Sequence, residues 1–300
     1  MNNKLMLGGN IFGHFADKKQ TSTLLAKAKN LGITAIDTAD VYSNGLSEEF
    51  IGENIKTNRE QWFVATKVGL QSHASPEGLG RKNNIIQRVE NSLKRLKSDY
   101  IDLYQIHHFD PLTPLEETLE AFELLVKQGK ILAAGISNYN LNHLKLLKEG
   151  DSKCIKFHQM PLNITNFSQT KQVLFESTKQ NISILAYSSL VRGLFNEKYI
   201  SGDIPSGSRA SISKNVQADL TPDFLCRLEK TAKLCKNHQV SLLDAAIQWV
   251  AQQQDVRWII VGIREVDQLT SVNHAAANTL PKTLLNELEA IWLGFRPFKK

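Results

Sequence analysis

Four polar clusters stand at the exits of apolar, β-rich runs in this chain: Asp37 with Tyr42, Lys67, His107, and the pair Ser137 and Asn138. A phenol titrates at about pH 10 when unperturbed, and a neighbouring ammonium favours the phenolate and eases release of the proton. Lys67 is expected to supply that charge to Tyr42 and lower its pKa. Asp37 would hold Lys67 in place and charged, while His107 would orient an oxygen atom or share the proton. Such a set suits a reaction in which negative charge builds on a substrate oxygen, where a proton donor and positive electrostatics are both needed.

These side chains are far apart in sequence, so the fold must gather strand ends at one place. Short β-rich runs at 5–8, 34–38, 62–67, 101–107, 131–137, 156–159, 182–187 and 256–261 alternate with longer stretches of helical period. In 85–96, Ile85, Val89, Leu93 and Leu96 recur at spacings of three and four, and 115–126 reads in the same way. Alternating strand and helix with short connections predicts a parallel sheet covered by helices, and eight such units can close it. The fold predicted is therefore α/β, a (β/α)8 TIM barrel forming a single domain over 1–300. An open doubly wound sheet is the alternative, but Gly8, Gly9 and Gly13 are out of frame for a G-x-G-x-x-G turn after the first strand. Two segments break the repeat. Residues 190–220, rich in Gly, Ser and basic side chains, are too long for an ordinary connection and read as a lid or binding loop after strand seven. Residues 283–293, following Pro281, predict an extra C-terminal helix.

Successive residues of a strand face opposite ways. Ala35 and Asp37 thus share a face, as do Phe63, Ala65 and Lys67, and again Leu103, Gln105 and His107. Each ionisable residue alone reads as a satisfied polar group at a strand end. In register, however, the three rows converge at the mouth of a barrel, with Tyr42 over them from the loop after strand two.

Composition sets the remaining bounds. With 300 residues, 42% of them hydrophobic and 22% charged, the chain can build a sizeable core and is not of a disordered type. The net charge of +6 is spread among Asp and Glu with no long single-sign run, which argues against nucleic acid and suits an anionic cofactor. The three cysteines, Cys154, Cys226 and Cys235, lack metal spacing and read as reduced thiols filling a core. The polar start of the chain and the lack of any membrane-length apolar window point to a cytoplasmic protein with no membrane partner, a monomer or weak oligomer.

The stretches Asp37-Thr38-Ala39-Asp40-Val41-Tyr42, Thr66-Lys67, Asp102-Leu103-Tyr104-Gln105-Ile106-His107, Gly135-Ile136-Ser137-Asn138-Tyr139 and Ala186-Tyr187-Ser188 resemble the aldo-keto reductase family. Gly8-Gly9-Asn10-Ile11-Phe12-Gly13 is similar to its opening motif, and the resemblance runs from about Leu5 to about Asn273. It implies a barrel that binds a nicotinamide cofactor, usually NADPH and less often NAD(H), and reduces an aldehyde or ketone by hydride transfer. Asp37, Tyr42, Lys67 and His107 match the family's catalytic tetrad, with Tyr42 as proton donor.

By the same resemblance, Ser137, Asn138 and Gln159 would bind the nicotinamide carboxamide, and Tyr187, with Ser188 beside it, would stack on the ring. Leu190 to Leu194 resembles the segment crossing the pyrophosphate, with Gly193 allowing close backbone approach. Gly262, Arg264 and Gln268 fall in the loop and helix after strand eight, where Arg264 would grip the adenosine 2′-phosphate. The chain departs from the family at Val261, where Pro is usual, and at Val272, where an adenine-facing Asn is usual, with Asn273 one place later. Phe12, His108, Phe109 and the loop 71–82 would border the substrate, a small carbonyl compound. Two further readings share this site: an NAD(P)-dependent alcohol or sugar dehydrogenase, and a cofactor-binding redox-sensing subunit similar to the potassium-channel β proteins.

Overall fold

The protein is described here from a computed structural model that covers residues 3–69, 78–149 and 153–296. Eight strands, all parallel, close into a barrel in chain order. They are β1 (Leu5–Gly8), β2 (Ala35–Asp37), β3 (Phe63–Val68), β4 (Ile101–Ile106), β5 (Ile131–Ser137), β6 (Ile155–Pro161), β7 (Ser183–Tyr187) and β8 (Val256–Val261). The ring closes where Leu5 of β1 lies opposite Ile259 and Leu7 opposite Val261. A closed ring has no edge strands, so the doubly wound alternative is excluded. His107 falls one residue beyond β4, and β2 is shorter than 34–38.

Side-chain alternation divides the core in two. Met6, Ala35, Ala65, Leu103, Leu185, Trp258 and Ile260 pack together inside the barrel, with Phe63, Ala133, Phe157 and Tyr187 against them. These include the inward rows predicted for Ala35, Phe63, Ala65 and Leu103. The opposite rows, among them Ile36, Val64, Tyr104 and Ile136, pack against the helices in the larger outer core. Fully burying one such large apolar side chain contributes about 1.5–3 kcal/mol, so both layers stabilise the ring.

The helices follow from local sequence. Lys18–Asn30 opens on a capping box in which Asp17 accepts from the Gln20 backbone and Gln20 returns the bond. Lys82–Leu96 buries Ile85, Val89, Leu93 and Leu96 and ends on a left-handed Lys97. Leu115–Lys127 buries its own apolar stripe in the same way.

The segment after β7 is more ordered than a plain loop. It holds the short helical turns Val191–Gly193, Glu197–Tyr199, Arg209–Ile212 and Lys214–Gln217, and then the full helices Pro222–Asn237 and Leu242–Ala251. Phe195, Tyr199, Ala210 and Val216 are buried there, which explains the order. The C-terminal helix Lys282–Trp292 packs Trp292 against Phe224 and Phe295, and the Trp292 indole donates to Thr231 at 3.0 Å. Of the three cysteines, Cys235 is buried and Cys154 half-buried, but Cys226 is exposed, so the core-filling role expected of it is incorrect. Among the described residues no helix is long and apolar enough to cross a membrane.

One buried group makes the fold sensitive to acid. His158 of β6 is fully buried with Nδ1 2.9 Å from Ser177 Oγ, and burial pulls its imidazole from 6.5 down to about 3. Below 6.5 the unfolded chain takes up a proton that the folded chain refuses. Its contribution is therefore complete above that pH and shrinks by about 1.4 kcal/mol per unit as pH falls. Urea unfolding at pH 6.5 and pH 5 should show wild type losing about 2 kcal/mol more than His158→Gln. Parallel losses in the two proteins would contradict this account.

Candidate active site

The mouth of the barrel is built around one ion pair. Asp37 ends β2 and Lys67 lies one residue from the end of β3, with Lys67 opposite Gln105 of β4. Lys67 Nζ donates to Asp37 Oδ1 at 2.7 Å and to the Thr38 carbonyl at 2.7 Å. The Lys67 and Asp37 side chains are 1% and 4% exposed. Burial by itself would lower the Lys67 pKa, but the Asp37 charge and then Tyr42 outweigh it, leaving the ammonium above its ordinary value. Gln159 Nε2 reaches Asp37 Oδ2 at 3.4 Å, and Gln105 Nε2 donates to Gln159 Oε1 at 3.0 Å. Gln105 therefore joins the polar layer, as its place in the inward row with His107 could have signalled.

Tyr42 hangs over this pair from a tight turn. Ser43, Asn44 and Gly45 take φ of 51°, 55° and 93°, three consecutive left-handed residues. Ser43 Oγ donates to the Phe12 carbonyl at 2.7 Å and helps hold the turn. Lys67 Nζ lies 5.1 Å from the Tyr42 ring centroid, and the His107 ring meets Tyr42 edge-on at 6.0 Å. The expected lowering of the Tyr42 pKa does not occur. Burial pushes the phenol above 10.0, and the Lys67 charge opposes that rise without cancelling it. Tyr42 thus stays protonated through neutral pH.

His107 lies one residue past β4, where strand alternation no longer applies, and its ring lies side by side with that of His108. His107 is buried, its backbone N–H donates to the Val68 carbonyl at 2.6 Å, and His108 stacks on its ring at 5.3 Å while remaining exposed. Burial first, then the Lys67 charge, then His108 hold the His107 imidazole at about 2. A neutral imidazole can orient an oxygen, but it does not carry the second proton that sharing through an imidazolium needs.

Beyond these four, the rim is braced by hydrogen bonds. Ser137 ends β5, and Asn138 follows at φ 61°. Asn138 Nδ2 donates to the His107 carbonyl at 3.1 Å and to Ser137 Oγ at 3.0 Å, and the Tyr187 hydroxyl donates to Asn138 Oδ1 at 2.6 Å. Burial, then Tyr42, push the Tyr187 phenol up to about 12. Ser188, at φ 58°, has its carbonyl held by Asn163 Nδ2 at 3.1 Å. Leu190 is half-buried, and after it Val191, Arg192 and Gly193 take φ of 51°, 57° and 86°. A Cβ on Gly193 would meet no protein atom within 4 Å, so the backbone there is open as well as left-handed.

The far end of the cleft is basic. Gly262 and Gln268 are exposed, and the Arg264 guanidinium lies 3.9 Å from the centroid of the exposed Phe15 ring. Burial first and Arg264 second lower the Arg209 guanidinium, and burial followed by Arg209 lowers Arg192. The three arginines thus share one field, with Arg192 also paired to Asp219. Arg209 and Arg192 were not singled out in the sequence, because no strand register points to a residue inside 190–220. Val272 is buried, and Asn273 Oδ1 accepts from Asn3 Nδ2 at 2.7 Å.

The residues expected at the substrate rim lie in different settings. Phe12 is completely buried and belongs to the outer core, so it cannot border a substrate; its carbonyl, not its ring, reaches the Tyr42 turn. Phe109 is half-buried, stacked on His143 at 4.0 Å and edge-on to Tyr139 at 5.5 Å. Of the loop 71–82, residues 71–77 lie outside the described residues, while Gly80 N donates to Asp110 Oδ2 at 2.8 Å.

A buried lysine–aspartate pair, a tyrosine and a histidine thus meet at one rim of a closed parallel barrel. The family model described as the Aldo/keto reductase family matches residues 4–293. The chain is 33% identical over 287 residues to the Bacillus subtilis (strain 168) aldo-keto reductase YhdN, covering 91% of this chain and 83% of that protein. It is 30% identical over 286 residues to the Escherichia coli (strain K12) L-glyceraldehyde 3-phosphate reductase, covering 90% and 82%. The solved structure of aldo-keto reductase AKR11C1 from Bacillus halodurans, in its holo form, has the same fold, with a TM-score of 0.80 at 24% identity, covering 99% of this chain and 94% of that one. The chain belongs to the aldo/keto reductase family.

The ion pair has a stability consequence. Lys67→Met leaves the Asp37 carboxylate buried without its cation and should cost about 3–5 kcal/mol, whereas removing both charges in Asp37→Asn/Lys67→Met should recover much of the loss. Denaturant unfolding of the two variants tests this, and a double variant less stable than the single would refute it.

Proposed function

We propose that this protein is an NADPH-dependent reductase of small aldehydes or ketones in which Tyr42 donates the proton. The observation that carries this reading is the convergence of Tyr42, His107 and the buried Lys67–Asp37 pair, with Nζ 2.7 Å from Oδ1, at one mouth. The residues present fit a nicotinamide cofactor. Inward carboxamides and hydroxyls at Ser137, Asn138 and Gln159 suit its amide, the open backbone at Gly193 suits a pyrophosphate, and the arginine field suits a phosphate. When bound, that cofactor supplies the hydride.

The chain's own residues supply the rest. His107, neutral, orients the carbonyl oxygen, and the protonated Tyr42 delivers its proton to that oxygen as charge develops there. Lys67, held charged by Asp37, stabilises the phenolate left behind. Tyr187, braced by Asn138, would hold a nicotinamide ring by stacking on it. Phe109 and His108 border the substrate. The relative named for L-glyceraldehyde 3-phosphate reduction supports an aldehyde as the substrate class.

Tyr42→Phe should cut kcat for aldehyde reduction by about a hundredfold or more while NADPH binding, read by fluorescence titration, stays intact. Near wild-type turnover would remove Tyr42 from the mechanism. The cofactor preference rests on the arginines. Arg264→Ala and Arg209→Ala should each raise the Kd for NADPH and leave that for NADH almost unchanged, since only NADPH carries the additional phosphate. Equal losses for both cofactors would assign these arginines elsewhere.

A further inference from the structure

The turn that carries Tyr42 is bracketed by two buried carboxylates, Asp40 before it and Glu48 after it. Each is paired with an arginine of the helix Lys82–Leu96. Arg88 Nη1 meets Asp40 Oδ2 at 2.5 Å, and Arg95 Nε meets Glu48 Oε2 at 2.6 Å. Arg88 and Arg95 are seven residues apart, close to two full turns, so one helix face presents both guanidinium groups to the Tyr42 segment. Glu48 spends its other oxygen on Thr66 Oγ1 at 2.6 Å, and Thr66 is the chain neighbour of Lys67. The same carboxylate thus joins the strand bearing the ammonium, the helix just beyond the phenol, and Arg95.

Glycines let these elements approach. A Cβ on Gly45, at φ 93°, would lie 2.8 Å from Arg95 Cδ, so the stem of Arg95 fills the underside of the turn. A Cβ on Gly52 would lie 2.5 Å from the Arg95 carbonyl oxygen, so the helix Leu46–Ile55 meets the end of Lys82–Leu96 backbone to backbone. Ser92 Oγ accepts a further bond from Arg95 Nη2 at 3.3 Å. Three consecutive left-handed residues are not a conformation a free turn keeps, and here the surroundings over-determine it.

We propose that Arg88 and Arg95 are positioning residues that clamp the Tyr42 turn through Asp40 and Glu48 and so fix the phenol relative to Lys67. Neither arginine touches Tyr42 itself, and the kinetic part of this inference rests on the proton-donor reading of that residue. Truncating either clamp lets the turn sample other conformations, which costs turnover and spares the cofactor site on the opposite side of the rim.

The test uses Arg88→Met, Arg95→Met and Arg95→Lys in the full chain, with Glu48→Gln/Arg95→Met added because the single variant strands a buried carboxylate. Amide hydrogen exchange over 40–47 is expected to quicken at least tenfold in the Met variants relative to the rest of the chain. The kcat for aldehyde reduction should fall at least tenfold with KM for NADPH within twofold of wild type, and Arg95→Lys should restore part of both. In a Tyr42→Phe background, Arg95→Met should reduce turnover no further. Unchanged exchange over 40–47 overturns the clamp whatever the kinetics do. Faster exchange with unchanged kcat, or an equal further loss in the Tyr42→Phe background, overturns the positioning role. Should wild type turn over no carbonyl substrate, the reductase reading fails while the exchange measurement still decides the clamp.

Discussion

The rest of the mouth depends on keeping an ammonium and a carboxylate out of water at 2.7 Å from each other. Removing either ion from solvent costs several kcal/mol after relaxation, and their attraction repays this only when the remaining donors and acceptors are also satisfied. That requirement dictates the neighbours. The Thr38 carbonyl takes a second Lys67 proton, and Gln159 reaches the second Asp37 oxygen while accepting from Gln105. Four strands, β2, β3, β4 and β6, therefore have to hold register for one pair to exist. A slip of one residue in any of them would send its polar member to the opposite face.

Much of this was legible in the sequence because barrel strands obey a period of two. Ala35, Phe63, Ala65 and Leu103 fall inside, and Asp37 and Lys67 end their rows, as counting alone predicts. The alternating strand and helix pattern read as a barrel for the same reason, and the ring bears it out. What could not be counted lay in connections. Arg209 feels the charge of Arg264, and Arg192 that of Arg209, through turns whose path no periodicity encodes. Phe12 sits in a loop with a Gly on either side of its segment, and its sequence does not say that its ring turns into the core. The helices Pro222–Asn237 and Leu242–Ala251 carry ordinary caps at Thr221 and Ser241, a local signal that marks where a helix starts but not how it packs on the barrel.

The connections also carry the unusual backbone. Left-handed residues cluster at the mouth, at Ser43 and Asn44 after β2, Asn138 after β5, Ser188 after β7, and Val191 and Arg192 beyond it. For non-glycine residues such conformations cost of order 1–3 kcal/mol each when strained, and they persist only where hydrogen bonds and packing leave no alternative. Three of them have such a side-chain restraint close by. Ser43 bonds Phe12, Asn138 bonds His107 and Tyr187, and Asn163 holds Ser188. The barrel supplies rigidity and the loops supply placement, a division of labour general to this architecture.

Burial of the mouth imposes opposite demands on its titrating groups. It drives His107 far below neutrality and raises Tyr42, so at rest the site holds a neutral base-like ring beside a fully protonated phenol. A raised pKa makes Tyr42 a weak acid in the resting state, yet it guarantees that the proton is present across physiological pH. On the proposed chemistry, the driving force then has to come from charge arranged in advance. Lys67 already opposes the rise and gains most when phenolate appears beside it, because its attraction for a developing anion in a water-poor site is stronger than in bulk solvent. Asp37 limits this effect, since it neutralises the ammonium that the phenolate needs. Its compensation is that the Asp37 charge offsets the burial that by itself would lower the Lys67 pKa, and so keeps the ammonium available to the phenolate.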